Sequence, residues 1–463
     1  MTERLVVIGG DAGGMTAASQ ARRRRGPDEL EIVVFERGGD TSYSACGIPY
    51  WIGEVVDTRA ELVVRTPEEF RERQDIDARI HHEVVAIDTA ARTVRVRDLG
   101  SGGEDDHGYD QLLIATGASP QRPDLPGIDG PAVFGVQTLD DGQAIIDHLA
   151  GLELDRAPRA VVVGAGYIGL EIAEAFVTRG IEVHVVERSP RPMSTIDPDM
   201  GDRIAAAMAG MGIELHVSTA VSAIEHDEAG RVRAVVTDAG ELVADVVVLG
   251  TGTRPNSDLA RDAGIPTGAT GGIVVDVRQR TPVDGVWAAG DCAEVHHLVT
   301  RRPAAIALGT IANKTGRVAG INLGGGYETF PGVLGTAITK LCGVEIGRTG
   351  LGEDDARAAG YEPVCVVVES TTTAGYWPTA EPIAVKLIAE RHTGRLLGGQ
   401  IVGEAGSAKR IDVLATALWN HMHVDDLLHV DLSYAPPFSP VWDPVLIAAR
   451  KSWDAVEADR VDG

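Results

Sequence analysis

The stretch TSYSACGIPYWIGEVV, residues 41–56, sets one cysteine among small residues just ahead of a Gly-Ile-Pro step. A thiol can attack a disulfide or pass through an oxidised state, and the thiolate is the form that reacts. The fifth residue before Cys46 is Thr41 and the fifth after it is Trp51, so a CxxxxC dithiol is excluded. Two roles remain for the sulfur: a small buried hydrophobe, as most free cysteines are, or a single redox-active thiol. The residues that follow read as the first turns of a helix, and a helix dipole lowers the pKa of a thiol at its N-terminus.

A lone thiol needs an electron source, and two glycine-rich turns supply the means to hold one. In RLVVIGGDAGGMTAASQARRRR an apolar strand, Leu5 to Ile8, enters a turn containing Gly9 and Gly14, and a helix of small residues follows. Such a turn lets backbone N–H groups approach a pyrophosphate at the helix N-terminus. The next strand, EIVVFER, ends in Glu36, a carboxylate placed to accept ribose hydroxyls. Asp11 stands where the fingerprint has its middle glycine. A cleaner copy, RAVVVGAGYIGLEIAEAFVTRGIEVHVVERSP, carries Gly164, Gly166 and Gly169 in full spacing, with Tyr167 and Ile168 opening the helix and Glu187 ending the next strand. Two such units in one chain predict two dinucleotides, with electrons passing from one to the other.

The elements that position these residues need a chain of this size. At 463 residues two or three domains are expected, and 56 glycines imply many tight turns. The net charge of −26 argues against nucleic acid as a partner. Apolar runs last only a strand's length, too short to span a membrane, and MTERLVVIGG leaves no room for a secretory signal. The four cysteines, at 46, 292, 342 and 365, show no metal-ligand spacing, and no metal is expected. The reading is a soluble, cytoplasmic protein.

Two further strand ends, YDQLLIATGASP (109–120) and GVWAAGDCAEV (285–295), resemble turns of the flavoprotein disulfide reductase superfamily. That resemblance implies an α/β fold with two Rossmann-like domains, one for FAD and one for NAD(P)H, and an α+β C-terminal dimerisation domain. FAD would be held by Gly9, Gly14, Glu36, Arg37, Thr116, Gly117 and Asp291, the last on the ribityl chain. NAD(P)H would be held by Gly164, Gly166, Tyr167, Ile168, Gly169, Glu187 and Gly252. The expected division is 1–120 and 245–325 for FAD, 121–244 for NAD(P)H and 326–463 for dimerisation. Glu187 favours NADH over NADPH, although Arg188 and Arg191 offset it in part.

SYSACGIPYWIGEV resembles the single-cysteine branch of that superfamily, which contains coenzyme A-disulfide reductases, NADH oxidases and NADH peroxidases. The first glycine turn has Asp11-Ala12-Gly13 and lacks the histidine of the oxidases and peroxidases, so the coenzyme A-disulfide reductases fit better. By resemblance Thr16, Gln20 and Arg23, which share one helix face, and Ser42 would contact coenzyme A. Arg22, Arg24 and Arg25 leave solvation and phosphate contact both open. Tyr434, leading YAPPFSPVWDPVLIAA, and Tyr376, in TAGYWP, would reach the partner subunit's cysteine in a homodimer and serve the departing thiolate. Departures are Ala45, where the family often has asparagine, and Trp377, which replaces the second tyrosine of a pair; no rhodanese-like domain is expected. The implied activity is NAD(P)H-driven, FAD-dependent reduction of coenzyme A disulfide, persulfide or polysulfide through a mixed disulfide on Cys46. The alternatives are an NADH oxidase or peroxidase cycling Cys46 through sulfenic acid, and an NADH-binding flavoprotein sensor without disulfide turnover.

Overall fold

A computed structural model describes residues 2–462. The unbroken apolar runs RLVVI and LEIVVF form strands covered on both faces. These are β1 (Glu3–Ile8) and β2 (Leu30–Phe35), parallel and in register from Glu3↔Leu30 to Ile8↔Phe35. Helix α1 (Ala12–Arg22) connects them. β3 (Ile76–Arg79) extends the sheet beside β2, while Gln111–Ile114 and then Val286–Ala288 extend it beside β1, all in parallel. Its last strand therefore arrives only after the chain has built a second sheet.

That second sheet is also parallel, in the order Glu214–His216, Glu182–Val186, Arg159–Val163, Val246–Leu249, Val133–Phe134. The chain leaves the first unit through Ala118–Pro120 and returns through Thr253–Pro255, which pair antiparallel as a ribbon between the two. The expected break at 244/245 is corrected here. Val246–Leu249 is an inner strand of the second sheet, and the return to the first comes after it.

The C-terminal part is a five-stranded antiparallel sheet, in the order Ala337–Leu341, Val344–Gly350, Leu396–Gly403, Pro382–Glu390, Pro363–Thr371. Residues of the helices Ile411–Trp419 and Pro444–Asp462 join its core. Back in the first unit, the helix Gly309–Leu323 lies backbone to backbone on α1. A Cβ on Gly316 would stand 2.3 Å from the Gly13 carbonyl oxygen, and one on Gly320 2.2 Å from that of Ala17. This contact buries one side of α1 and leaves Thr16 and Gln20 half-buried at its margin, with Arg23 exposed just past its end. Among the described residues no helix is long and apolar enough to cross a membrane.

Candidate active site

The two glycine turns are the same structure built twice. Gly9 and Gly164 adopt φ of 103° and 102°, a region that favours glycine. A Cβ on Gly14 would stand 1.9 Å from the Gly9 carbonyl oxygen, and one on Gly169 2.0 Å from that of Gly164. Glu36 accepts from the N–H groups of Gly10 (2.7 Å) and Gly38 (2.6 Å). Glu187 accepts from those of Ala165 (2.8 Å) and Ser189 (2.8 Å). Each acid is thus fixed by one bond per oxygen and keeps lone pairs free for ribose hydroxyls.

Asp11 and Gly166 occupy equivalent helix-capping positions with extended backbone, at φ −107° and −83°. An L-residue therefore fits where the fingerprint has glycine. The anion it introduces is muted. Burial, followed by the nearby carboxylates Glu36 and Asp291, pushes Asp11 up to about 6 against the pull of the Tyr43 N–H, which donates to its Oδ1 at 3.1 Å.

A cavity of about 440 Å³ opens beside the first turn, lined among others by Gly9, Glu36, Arg37, Thr116 and Gly117. Thr116 is locked to Asn256: its hydroxyl donates to the Asn256 carbonyl at 2.6 Å, and Asn256 Nδ2 donates to the Thr116 carbonyl at 2.8 Å. Asp291 Oδ1 is buried with no partner in the chain, and burial raises this carboxyl to about 6. An orphaned acceptor of this kind needs a donor, and a polyol hydroxyl satisfies it. These residues fit FAD.

Cys46 lies in a 3₁₀ turn, Ala45–Gly47, that leads into α2 (Ile48–Ile52). The loop before it is clamped from both sides. Ser42 N–H donates to the Gly10 carbonyl at 3.0 Å, while Val64 N–H donates to the Ser42 carbonyl and Ser44 N–H to the Leu62 carbonyl, both at 2.8 Å. Ser42 is held at φ 50°, a strained value of the kind that clusters at functional sites. The thiol residue is exposed, whereas Cys292 is buried. The expected lowering of the thiol pKa is overturned within the chain itself. Neighbouring groups that shield the sulfur from water push it up first, and the carboxylates of Glu171, Asp291 and Asp11 add to that. A helix of five residues has too little dipole to compensate.

The predicted coenzyme A face divides. Thr16 donates to Asn313 Oδ1 at 2.8 Å, and Gln20 receives a weak contact from Arg24 at 3.4 Å. Arg23 is exposed. Arg22 serves the fold instead, donating to the carbonyls of Gln74 (2.8 Å), Leu30 (2.8 Å) and Asp75 (3.0 Å). Arg25 pairs with Glu3 at 2.5 Å. On the nucleotide side Arg191 is engaged by Asp202 at 2.6 Å, and Arg188 is exposed. Tyr376 and Tyr434 are exposed too, at 76% and 47%, on segments joined by the Ala374 N–H donating to the Pro436 carbonyl at 3.0 Å.

Residues 3–312 match the pyridine nucleotide-disulphide oxidoreductase family, and residues 336–444 match that family's dimerisation domain. The chain is a pyridine nucleotide-disulphide oxidoreductase. It is 40% identical over 447 residues to the CoA-dependent NAD(P)H sulfur oxidoreductase of Pyrococcus abyssi, a match covering 96% of this chain and 97% of that protein. It is 31% identical over 451 residues to the coenzyme A disulfide reductase of Staphylococcus aureus, covering 97% and 99%. The structure of an NAD-dependent persulfide reductase from A. fulgidus superposes with a TM-score of 0.94 at 38% identity, covering 98% of this chain and 84% of that one. The resemblance carried by Cys46 and its flanks is borne out.

Two groups in this oxidoreductase escaped the sequence reading. Glu171, on the helix Tyr167–Thr178, faces the Cys46 region and accepts from the Thr339 hydroxyl at 2.8 Å. Arg410 ties both tyrosine segments together. Its Nη2 donates to the carbonyls of Thr372 (2.6 Å) and Phe438 (2.7 Å), and its Nε pairs with Asp443 at 3.0 Å. Nothing in the local pattern around either residue separates it from an ordinary helix-surface charge.

Proposed function

We propose that this flavoenzyme uses NAD(P)H to reduce coenzyme A disulfide, or the persulfide or polysulfide of coenzyme A, through Cys46. The observation that carries this reading is the exposed, unpaired Cys46 set against the glycine turn of the FAD unit. With Cys292 buried in the core of the first unit, the partner sulfur comes from outside the chain.

The Cys46 thiolate attacks one sulfur of coenzyme A disulfide, forming a Cys46–coenzyme A mixed disulfide and expelling one coenzyme A thiolate, which takes a proton. Two electrons, originating as a hydride on NAD(P)H, then cleave the mixed disulfide to the Cys46 thiolate and a second coenzyme A. With a persulfide the products are one coenzyme A thiol and hydrosulfide. FAD supplies the two-electron link between nicotinamide and sulfur.

Gly9, Gly14, Glu36, Arg37, Thr116, Gly117 and Asp291 hold FAD in this scheme, and Gly164, Gly166, Tyr167, Ile168, Gly169, Glu187 and Gly252 hold NAD(P)H. Thr16, Gln20, Arg23 and Ser42 hold coenzyme A. Tyr376 and Tyr434 act across a homodimer, donating to the departing thiolate; their exposure in the single chain supports that placement. The enzyme is assigned to the cytoplasm, where its nucleotide and thiol substrates are made. The domain division runs 1–120, 121 to just past Leu249, on to 325, and 326–463.

Intact mass of the oxidised holoenzyme under non-reducing conditions tests the reading. A coenzyme A adduct that disappears in Cys46→Ser is expected. A single added oxygen on Cys46 in place of the adduct, with oxygen consumed for every NADH oxidised, would replace it with the sulfenic acid cycle.

A further inference from the structure

Away from this chemistry, on the edge of the second parallel sheet, three potential metal ligands converge. His184 lies on the strand Glu182–Val186, and Glu214 and His216 lie on the edge strand Glu214–His216. The register pairs His184 with Glu214 and Val186 with His216, so all three side chains issue from one face of the sheet. They form the one group of three such ligands, mutually within 4.8 Å, among the described residues.

Two of the three separations are those of a coordination shell, and the third is within 4.8 Å. His184 Nδ1 lies 3.2 Å from His216 Nε2 and 3.3 Å from Glu214 Oε2. Two ligand atoms each about 2.0–2.1 Å from a tetrahedral zinc ion stand about 3.3 Å apart. A proton on His184 Nδ1 is divided between two acceptors, and a proton on His216 Nε2 leaves the Glu214 carboxylate facing a lone pair; one cation among the three atoms satisfies all three lone pairs. The other ring nitrogen of His184 faces Glu182 Oε1 at 3.4 Å, and Glu182 is itself held by Arg159 at 3.1 Å. A carboxylate behind a ligating imidazole is the usual outer-shell arrangement. The His184 side chain is only 12% exposed while that of Glu214 is 64% exposed, which leaves an entry path on the Glu214 side.

We infer that His184, Glu214 and His216 bind a borderline divalent transition-metal ion, zinc by the ligand set, with solvent in the fourth position. The ion clips the edge strand to its neighbour directly beneath the nucleotide site: the Glu187 N–H donates to the His216 carbonyl at 2.8 Å. The site is independent of Cys46.

The test treats the holoenzyme with chelator, dialyses it against Zn²⁺, and measures zinc per chain in wild type, His216→Gln and Glu214→Gln. Zinc held at Cys46 would be common to all three. Wild type is expected to retain one zinc more than His216→Gln, and Zn²⁺ is expected to raise its Tm but not that of the variant. Should His216→Gln fail to fold, Glu214→Gln, altered at an exposed position, decides. Its zinc affinity should fall at least about tenfold, the loss that even an outer-shell partner brings. Equal zinc content in wild type and variants, or none in any, would overturn the site and leave a hydrogen-bonded histidine pair.

Discussion

Around Cys46 the chain's own groups oppose the form of sulfur that reacts. Crowding acts first, then Glu171, whose carboxylate comes from the other dinucleotide unit. Removing that charge should ease thiolate formation. In Glu171→Gln the pH profile of Cys46 alkylation is expected to move down, by up to about one pH unit; an unmoved profile would remove Glu171 from the site's electrostatics. Asp291 illustrates the linked cost in stability. Burial raises its carboxyl from 3.8 to about 6, so the folded chain binds this proton more tightly than the unfolded one. The contribution to stability is complete below about pH 4 and is lost as pH rises through about 6, a difference of at most about 3 kcal/mol. Urea unfolding of the flavin-free chain should show this loss between pH 4 and 6. Asp291→Asn should flatten it and lower the flavin retained after gel filtration.

At the level of elements, two exposed tyrosine segments depend on one largely covered guanidinium. Arg410 is 13% exposed and Asp443 12%, and the planar fork reaches carbonyls on both segments at once. A lysine keeps the charge but cannot make this pattern of bonds. Arg410→Lys is therefore expected to lower kcat/KM for the disulfide at least about tenfold. Bleaching of the flavin by NADH, followed by rapid mixing, should stay within about twofold of wild type, because the proposed scheme uses the tyrosines only on the departing thiolate. Equal losses in both half-reactions would reduce Arg410 to a general folding residue.

Across the whole molecule, the second dinucleotide unit and the C-terminal sheet are joined by an ion cluster around a buried lysine and Asp197. Lys386 Nζ, on a side chain 3% exposed, lies 2.9 Å from Asp199, 3.0 Å from Asp197 and 3.4 Å from Glu353. Asp197 Oδ1 also accepts the Glu353 N–H at 2.9 Å. Its carboxylates hold the lysine charged despite burial. Removing the cation leaves like charges unpaired, which costs about 3–5 kcal/mol. Lys386→Ala should lower the urea midpoint accordingly, and a midpoint unchanged from wild type would show that water or a rearranged neighbour replaces the ammonium.

The strands, both glycine turns and the solitary thiol were legible in the amino-acid order, because each depends on properties of a short segment. Apolar runs make covered strands, Gly9 and Gly164 admit a backbone angle that other residues resist, and the residues flanking Cys46 exclude an internal dithiol. Even Asp11, a defect in the fingerprint, carried information, favouring the coenzyme A-disulfide reductases within the single-cysteine branch. The chemical setting of those residues was not legible, since electrostatics and coordination depend on distance through space. Glu171 and Asp291 reach Cys46 from more than a hundred residues away. The run from Arg22 to Arg25 reads as uniform charge, yet packing gives Arg22 to backbone carbonyls, Arg25 to Glu3, and leaves Arg23 free for solvent or ligand. His184 and His216 become neighbours only because their strands pair in parallel. Local sequence thus determined the fold class and the place of the solitary thiol. Tertiary structure alone decided the acidity of that sulfur, the support of the tyrosines and the convergence of the histidines, because each is a contact between segments that the chain order keeps apart.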